Sequence, residues 1–293
     1  MGVINMNPQP LLDGIPRRQS ALTMALARAV HQLLDEPTLL QDRYAFDILG
    51  SNLARQTLVD PYVHNAPMLR TMRAAVVART RLVEDRVVRA IGTGVRQVVI
   101  LGAGLDTLFL RIPDNVRCVE LDQAQTQQWK LDRLKESGIS VPSNVVFLAA
   151  DLAEAPLMEL LGNHGIDPKL PTIFSCLGVL PYLETSVVSA IIRQVSLYSS
   201  QSEIVFDARI SREFLSPVEQ WMEDMAARSF AAAGEPWLSA FDPAQLMEML
   251  LCNGFCDVEC LDAEAINARY FMRRRDGLQA VDGGLRLFTA TVG

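Results

Sequence analysis

Apolar residues recur at helical spacing through the first part of the chain, which predicts a helical preface ahead of any strand. The clearest helix covers residues 20–34, with Ser20 at the N-cap position and Pro37 beyond its end. A second, short helix is predicted over residues 43–54, and a long helix with arginines spaced along it over residues 67–91. The chain therefore opens with helices rather than with a sheet.

The period changes after residue 92, where short β-branched runs alternate with helical stretches. This alternation is typical of a parallel sheet built from βαβ units. The last two runs flank a helical or irregular stretch at 263–275 and suggest a hairpin-like addition to that sheet. The predicted strands cover residues 97–101, 117–121, 144–149, 172–176, 203–207, 256–261 and 285–292.

These patterns divide the chain into three segments. Residues 1–16 hold Pro8, Pro10, Gly14 and Pro16, which indicates a flexible leader. Residues 17–92 form the helical segment, which we call the lid, and residues 93–293 form an α/β core. The expected architecture is a seven-stranded Rossmann-like sheet with an N-terminal helical lid.

Composition and charge narrow the choice of partners. The 293 residues are 49% hydrophobic and carry a net charge of -7, which suits a globular protein with a small-molecule partner rather than one that binds nucleic acid. Five cysteines without a signal peptide indicate reduced thiols and a cytoplasmic location. The longest apolar stretch is too short for a membrane span, and the oligomeric state stays open.

The first βα unit carries a glycine turn, since an apolar strand runs directly into Gly102-Ala103-Gly104. Glycines at such a turn allow unusual backbone angles and close approach of a ligand. Asp106 follows in the same turn. A dinucleotide fingerprint would have a third glycine where this chain has Thr107, which disfavours a dinucleotide cofactor.

Acidic residues also follow the next two predicted strands. Asp122 lies at the tip of strand two, where a carboxylate accepts hydrogen bonds from the ribose hydroxyls of an adenosine-type ligand. Asp151 with Leu152 follows strand three and suits the amine and face of adenine. The alternative is that the glycine turn is only a tight turn and that Asp122 only caps a helix. Three ligand-like strand ends at one sheet edge nevertheless favour S-adenosylmethionine.

Residues 100–107, Ile-Leu-Gly-Ala-Gly-Leu-Asp-Thr, together with Arg111 resemble the GAGLDT(R)xxR segment of the leucine carboxyl methyltransferase family, including its bacterial branch of small-molecule O-methyltransferases. The resemblance implies a class I methyltransferase fold with S-adenosylmethionine as cofactor. Further matches in the same order span nearly the whole chain: residues 20–28, 42–45, 73–79, 120–122 with Lys130, 151–152, 177–179, 181–183, 241–243 and 254–255.

The resemblance also implies cofactor contacts at named positions. They are Arg73 for the methionine carboxylate, Gly102 and Gly104 for the backbone cradle, Asp122 for the ribose, and Asp151 with Leu152 for adenine. The fork of an arginine suits bidentate pairing with a carboxylate. Position alone, however, would make Arg73 one more solvated charge on an arginine-rich helix.

Two departures from the family pattern stand out. The arginine that commonly follows GAGLDT is Leu108 here. Many members carry an acid after strand four, in a segment like AEGxxxYL, where residues 175–182 of this chain read Ser-Cys-Leu-Gly-Val-Leu-Pro-Tyr. We assign the missing acid to Cys176, so that backbone carbonyls would meet the cofactor's ammonium group instead.

Other chemistry is sparse. The cysteines at 252, 256 and 260 have no histidine nearby, and the last two alternate as one face of a strand, so no metal site is expected. Tyr62 and His64 lie in a polar and aromatic loop between lid helices and are candidate substrate contacts, against an ordinary surface or capping role. The sequence names no general base.

These observations favour an S-adenosylmethionine-dependent O-methyltransferase that acts on a carboxylate or hydroxyl of a small molecule, such as a polyketide-like or other secondary metabolite. The departures at Leu108 and Cys176 keep open a fold that binds the cofactor without transferring methyl. A nicotinamide dehydrogenase is a third alternative, which Thr107 disfavours.

Overall fold

The computed structural model describes residues 19–154 and 156–293, so the predicted leader at 1–16 lies outside the described residues. Seven strands form one sheet in the order β3-β2-β1-β4-β5-β7-β6. Strands β1 to β5 are parallel, while β7 runs antiparallel to both β5 and β6. The strands are β1 Gln97–Leu101, β2 Arg117–Asp122, β3 Val145–Ala149, β4 Thr172–Cys176, β5 Glu203–Arg209, β6 Phe255–Leu261 and β7 Leu285–Val292. The predicted α/β class, with its late antiparallel pair, is confirmed.

The helices lie on both faces of this sheet. They are α1 Gln19–Leu34, α2 Ser51–Val59, α3 Pro67–Gly92, α4 Ala124–Glu136, α5 Leu157–Gly162, α6 Thr185–Val195, α7 Pro217–Ala232, α8 Pro243–Cys252 and α9 Ala263–Ile266. Local chemistry sets several of their ends. Ser216 and Glu219 form a capping box at the start of α7, and Pro67 occupies the first turn of α3, where no backbone donor is needed.

Two lid predictions need correction. The helix expected over 43–54 is wrong, because Gly50 adopts a φ of 82°, which separates a short 3-10 turn at Asp47–Leu49 from α2. Ser20 lies inside α1 rather than at its cap, and its backbone N–H and its hydroxyl donate to Glu235 at 2.9 and 2.8 Å. The first difference arises from the backbone conformation of Gly50 and the second from a contact between distant residues, and local spacing encodes neither.

Alternate residues of each parallel strand enter two different apolar clusters. Val98 and Ile100 of β1 pack in the cluster that includes α1 and α3, which we call the lid-side cluster. Val99 and Leu101 pack in the opposite cluster with α5, α6 and α8. The lid thus shares a continuous core with the sheet, and a domain division at residue 92 stays a prediction. No helix of the described residues is long and apolar enough to cross a membrane.

Candidate active site at the carboxyl edge of the sheet

The glycine turn after β1 is held in place by the end of β2. Gly102 and Gly104 have φ values of 64° and 49°, in the left-handed region that favours glycine. The Oδ2 of Asp122 accepts the Gly104 N–H at 2.6 Å, and its Oδ1 accepts the Gln123 N–H at 2.7 Å. Asp122 therefore shapes the turn in addition to any part it plays toward a ribose.

The turn is closely covered by two other segments. A Cβ placed on Gly102 would lie 2.2 Å from Cγ2 of Val179, in the turn after β4. A Cβ on Gly104 would lie 3.4 Å from the Cβ of Ala21 in α1. Only a residue without a side chain fits at Gly102 in this arrangement.

A buried carboxylate at the end of β5 completes this edge, and sequence reasoning missed it. Asp207 is 2% exposed, and its Oδ1 accepts the Gly178 N–H at 2.6 Å. Its Oδ2 lies 2.5 Å from Nη1 of Arg79, which extends from α3. The available signal was an acid near the end of an apolar strand, the same signal that identified Asp122.

Arg73 is engaged within the lid. Its guanidinium pairs with Asp35 in a bidentate way, through Nε at 2.7 Å and Nη2 at 2.9 Å. It also donates to the His64 carbonyl at 3.1 Å and to Oδ1 of Asn65 at 2.9 Å. Arg73 is 1% exposed, so the alternative interpretation as a solvated surface charge is wrong. Contact of Arg73 with the cofactor stays a prediction.

Asp35 links this arginine to a buried histidine. The Nε2 of His31 accepts the backbone N–H groups of Leu39 and Leu40 at 2.9 and 3.2 Å, so Nδ1 carries the proton and donates to Asp35 at 2.8 Å. Burial alone would raise the pKa of Asp35. Hydrogen bonds from His31 and Arg73 outweigh burial and lower the pKa from 3.8 to about 2.

The candidate substrate contacts lie on the 3-10 turn Pro61–His64 between α2 and α3. Tyr62 is 70% exposed, whereas His64 is partly buried. Burial, followed by the charge of Arg73, lowers the pKa of His64, which favours the neutral form of its ring. Contact of either side chain with a substrate stays a prediction.

Thr107 ties the glycine turn to the lid, while Asp106 forms a hydrogen bond within its own segment. The Oδ1 of Asp106 accepts the Leu108 N–H at 2.6 Å, and Thr107 donates its hydroxyl to Asp42 at 2.7 Å. Burial would raise the pKa of Asp106, but Arg28 and other positive charges nearby lower it. Ala103 is 7% exposed and packs in the lid-side cluster. The threonine that replaces a third glycine thus has its own structural partner.

The strand-three residues point in different directions. Asp151 is exposed, and its Oδ1 accepts the Ala153 N–H at 2.9 Å. Leu152 is 9% exposed and packs in the cluster opposite the lid. The carboxylate is therefore accessible at this edge, while the adenine contact of either residue stays a prediction.

The assignment of the missing acid to Cys176 needs correction. The Cys176 side chain is fully buried in the cluster opposite the lid, and burial followed by the charge of Asp207 raises the pKa of its thiol. Leu177 packs against the lid-side cluster. Since Gly178 and Tyr182 align with the glycine and tyrosine of AEGxxxYL, the acid's position is Leu177, which faces the lid.

The lid and residues 233–242, which we call the segment after α7, meet over this edge. Glu235 holds Ser20 at the start of the described chain, as noted above. Burial raises the pKa of Tyr182, which also interacts with Trp237 and Ser20. The guanidinium of Arg209 lies 4.7 Å from the Trp237 ring centre. An aromatic and charged rim therefore borders the site.

Among residues 19–154 and 156–293, no group of histidine, cysteine and acidic side chains could hold a metal ion. The shared face predicted for Cys256 and Cys260 on β6 is wrong, because the strand register shifts between Cys256 and Glu259, which leaves Cys256 exposed and Cys260 half-buried. Cys252 is exposed at the end of α8.

A sequence model of the leucine carboxyl methyltransferase family matches residues 21–196, more than half of the 293-residue chain. The Bacillus subtilis protein named "Putative S-adenosyl-L-methionine-dependent methyltransferase YktD" is 26% identical over 287 residues, with 90% of this chain and 94% of that protein covered. A Mycobacteroides abscessus protein with the same description is 32% identical over 225 residues, with 74% of this chain and 70% of that protein covered.

The fold has solved counterparts. A crystal structure of a "putative methyltransferase" from Thermobifida fusca matches with a TM-score of 0.60 at 17% identity, covering 98% of this chain and 99% of that one. The predicted family, fold class and cofactor are thereby confirmed, and the dehydrogenase alternative is wrong. The chain belongs to the leucine carboxyl methyltransferase family and is an S-adenosylmethionine-dependent methyltransferase.

Proposed function

We propose that this methyltransferase transfers its methyl group to an oxygen of a small molecule, a carboxylate or a phenolic hydroxyl, such as that of a polyketide-like or other secondary metabolite. The observation that carries the proposal is the covered edge, where Glu235 of the segment after α7 binds Ser20 of the lid. A covered site admits a small acceptor more readily than the surface of a macromolecule.

Within this proposal, the residues at the sheet edge bind and orient the cofactor. Gly102, Ala103 and Gly104 form the backbone cradle with Asp106 in the same turn, and Asp122 holds the ribose. Asp151 and Leu152 border the adenine, and the backbone at Cys176 lines the end of β4. The positive φ of both glycines and the strand-end carboxylates fit such a ligand.

S-adenosylmethionine, when bound, supplies an activated methyl group on a sulfonium. The protein then has to align the acceptor oxygen with that methyl group and exclude water, and alignment alone removes much of a barrier. The lid over the glycine turn supports both tasks.

The scarcity of histidines, of which the chain has three, supports an acceptor that is already anionic or readily becomes so. Of the three histidines, His31 has both ring nitrogens in hydrogen bonds, and Nδ1 of His164 lies 2.8 Å from the Leu160 carbonyl. His64 remains as the candidate base. A carboxylate acceptor needs no base, whereas an aliphatic hydroxyl does.

Methyl transfer from isotopically labelled S-adenosylmethionine to panels of carboxylic acids, phenols, aliphatic alcohols and amines tests the proposal. We expect turnover with an acid or a phenol, and products of acids are recognised as base-labile esters. With a carboxylic acid, His64→Ala should change kcat less than tenfold, whereas a base-dependent acceptor would lose about 100-fold or more. His164→Ala is the matched control, because the His164 ring bonds to the Leu160 carbonyl outside the lid. Transfer confined to amines would refute the proposal.

The methionine carboxylate has two candidate partners. The prediction from family resemblance is Arg73, while Arg79 lies at the turn after β4, with Nη2 3.3 Å from a Cβ placed on Gly178. Replacing each arginine by glutamine and measuring S-adenosylhomocysteine binding by calorimetry separates them. The variant that weakens binding more identifies the partner, because a lost charge-assisted pair costs more than a lost neutral contact.

A further inference from the structure

An ion pair of opposite charges stands at the carboxyl ends of β4 and β5. Arg79 of α3 and Asp207 of β5 lie 2.5 Å apart, and the side chains are 13% and 2% exposed. Asp207 also accepts the Gly178 N–H at 2.6 Å. The pair is therefore fixed from three directions, by α3, by β5 and by the turn after β4.

The ion pair between Arg79 and Asp207 lies on the same edge of the sheet as the glycine turn. The strand order puts Asp122 of β2 on one side of the turn after β1, and β4 with β5 on the other side. Val179 closely covers Gly102, so the turns after β1 and β4 adjoin. A ligand whose ribose lies at Asp122 and which extends across the glycine turn reaches Gly178 and the ion pair.

The chemistry at that end of the site matches one end of the cofactor. The amino-acid end of S-adenosylmethionine carries an ammonium and a carboxylate group, and the ion pair offers an acid and an arginine. The neighbouring side chains of Cys176 and Leu177 are apolar and pack in the two clusters. Each oxygen of Asp207 has a second lone pair beyond its present partner.

We propose that Asp207 is the residue that recognises the ammonium group of the cofactor, while it holds Arg79 in place beside it. This inference rests on the cofactor and is independent of which acceptor is methylated. Asp207 then supplies from β5 the negative charge that no side chain supplies at the end of β4.

The test compares two ligands that differ only in this end. S-adenosylhomocysteine has the amino-acid group, and 5′-methylthioadenosine has the same adenosine and sulfur without it. We expect Asp207→Asn to weaken binding of S-adenosylhomocysteine at least about tenfold in calorimetry, since a charge-assisted hydrogen bond is lost. Binding of 5′-methylthioadenosine should change less than about twofold, because it does not reach the pair.

Glu203→Gln is the matched control, since Glu203 is a buried acid at the other end of β5 that lies 3.1 Å from Arg86. It should leave both affinities unchanged. Equal weakening of both ligands by Asp207→Asn, or no weakening of either, would overturn the proposal. If that variant does not fold, the wild-type protein decides: an S-adenosylhomocysteine analogue that lacks only the amino group must bind at least about tenfold more weakly, and equal binding refutes the role.

A failure of the assignment of Asp207 can be distinguished from a failure of the cofactor or of the proposed acceptor class. A wild-type protein that binds neither S-adenosylhomocysteine nor 5′-methylthioadenosine would speak against the cofactor itself. A wild-type protein that binds S-adenosylhomocysteine but methylates none of the acids and phenols would speak against the proposed acceptor class and leave the assignment of Asp207 intact.

Discussion

The contact between Gly102 and Val179 makes a quantitative prediction about the glycine turn. Gly102→Ala places a methyl group 2.2 Å from Cγ2 of Val179 and puts a substituted residue at a φ of 64°. The left-handed conformation costs about 1–2 kcal/mol. Overpacking typically adds about 1–3 kcal/mol. We therefore expect Gly102→Ala to lower the free energy of unfolding by about 2–5 kcal/mol.

A double-mutant cycle separates the two costs. Val179→Ala removes the colliding methyl group but not the strain, so the double variant should be more stable than the sum of the single effects by about 1–3 kcal/mol. Gly104→Ala is the control, since its Cβ would meet Ala21 at an ordinary 3.4 Å and only the strain remains. Urea denaturation gives the unfolding free energies. Effects that add to within about 0.5 kcal/mol would refute the close contact.

Three further predictions concern charges and the facing of strand ends. Asp122→Ala should weaken S-adenosylhomocysteine binding at least about tenfold in calorimetry, and an unchanged Kd in a folded variant would sink the ribose role. Because the pKa of Asp35 is lowered from 3.8 to about 2, the ionised carboxylate adds about 2 kcal/mol to the free energy of unfolding above pH 3.8, and this contribution is lost as the pH falls through 2. The unfolding free energy of Asp35→Asn should therefore lack this loss in acid. Cys176→Glu should lower Tm strongly by burying a charge, whereas Leu177→Glu should remain folded. Equal Tm values would contradict the placement of Cys176 and Leu177 on opposite faces of the sheet.

Strand periodicity was enough to predict the sheet, and the glycine turn was enough to choose the edge that we propose for the site, because both are local features of the chain. The break at Gly50 escaped detection, since the apolar spacing continues through it while the backbone does not. Asp122 could be chosen as a candidate because it is an acid at the tip of strand two, whereas its hydrogen bond to the Gly104 N–H appears only in the structure.

Partners that come from distant parts of the chain could not be predicted. The bond between Arg79 and Asp207 joins residues 128 positions apart, and that between Arg73 and Asp35 joins residues 38 apart. No spacing rule relates such pairs, so an arginine that is bound inside the lid and one at the site look alike in sequence. The misplacement at Cys176 was a shift of one residue, which in a strand exchanges one face of the sheet for the other.

The core that the lid shares with the sheet has a consequence for how this enzyme can change. Leu22 of α1 and Val77 of α3 belong to the same apolar cluster as Val98 of β1, so the segment that we propose to cover the acceptor also covers the sheet. A truncation at residue 93 would expose that face to water and yield an insoluble fragment rather than a minimal catalytic unit. Under the proposed function, we therefore expect altered acceptor preference to be easier to reach through the segment after α7, where Glu235 and Trp237 lie, than through the buried faces of α1 and α3.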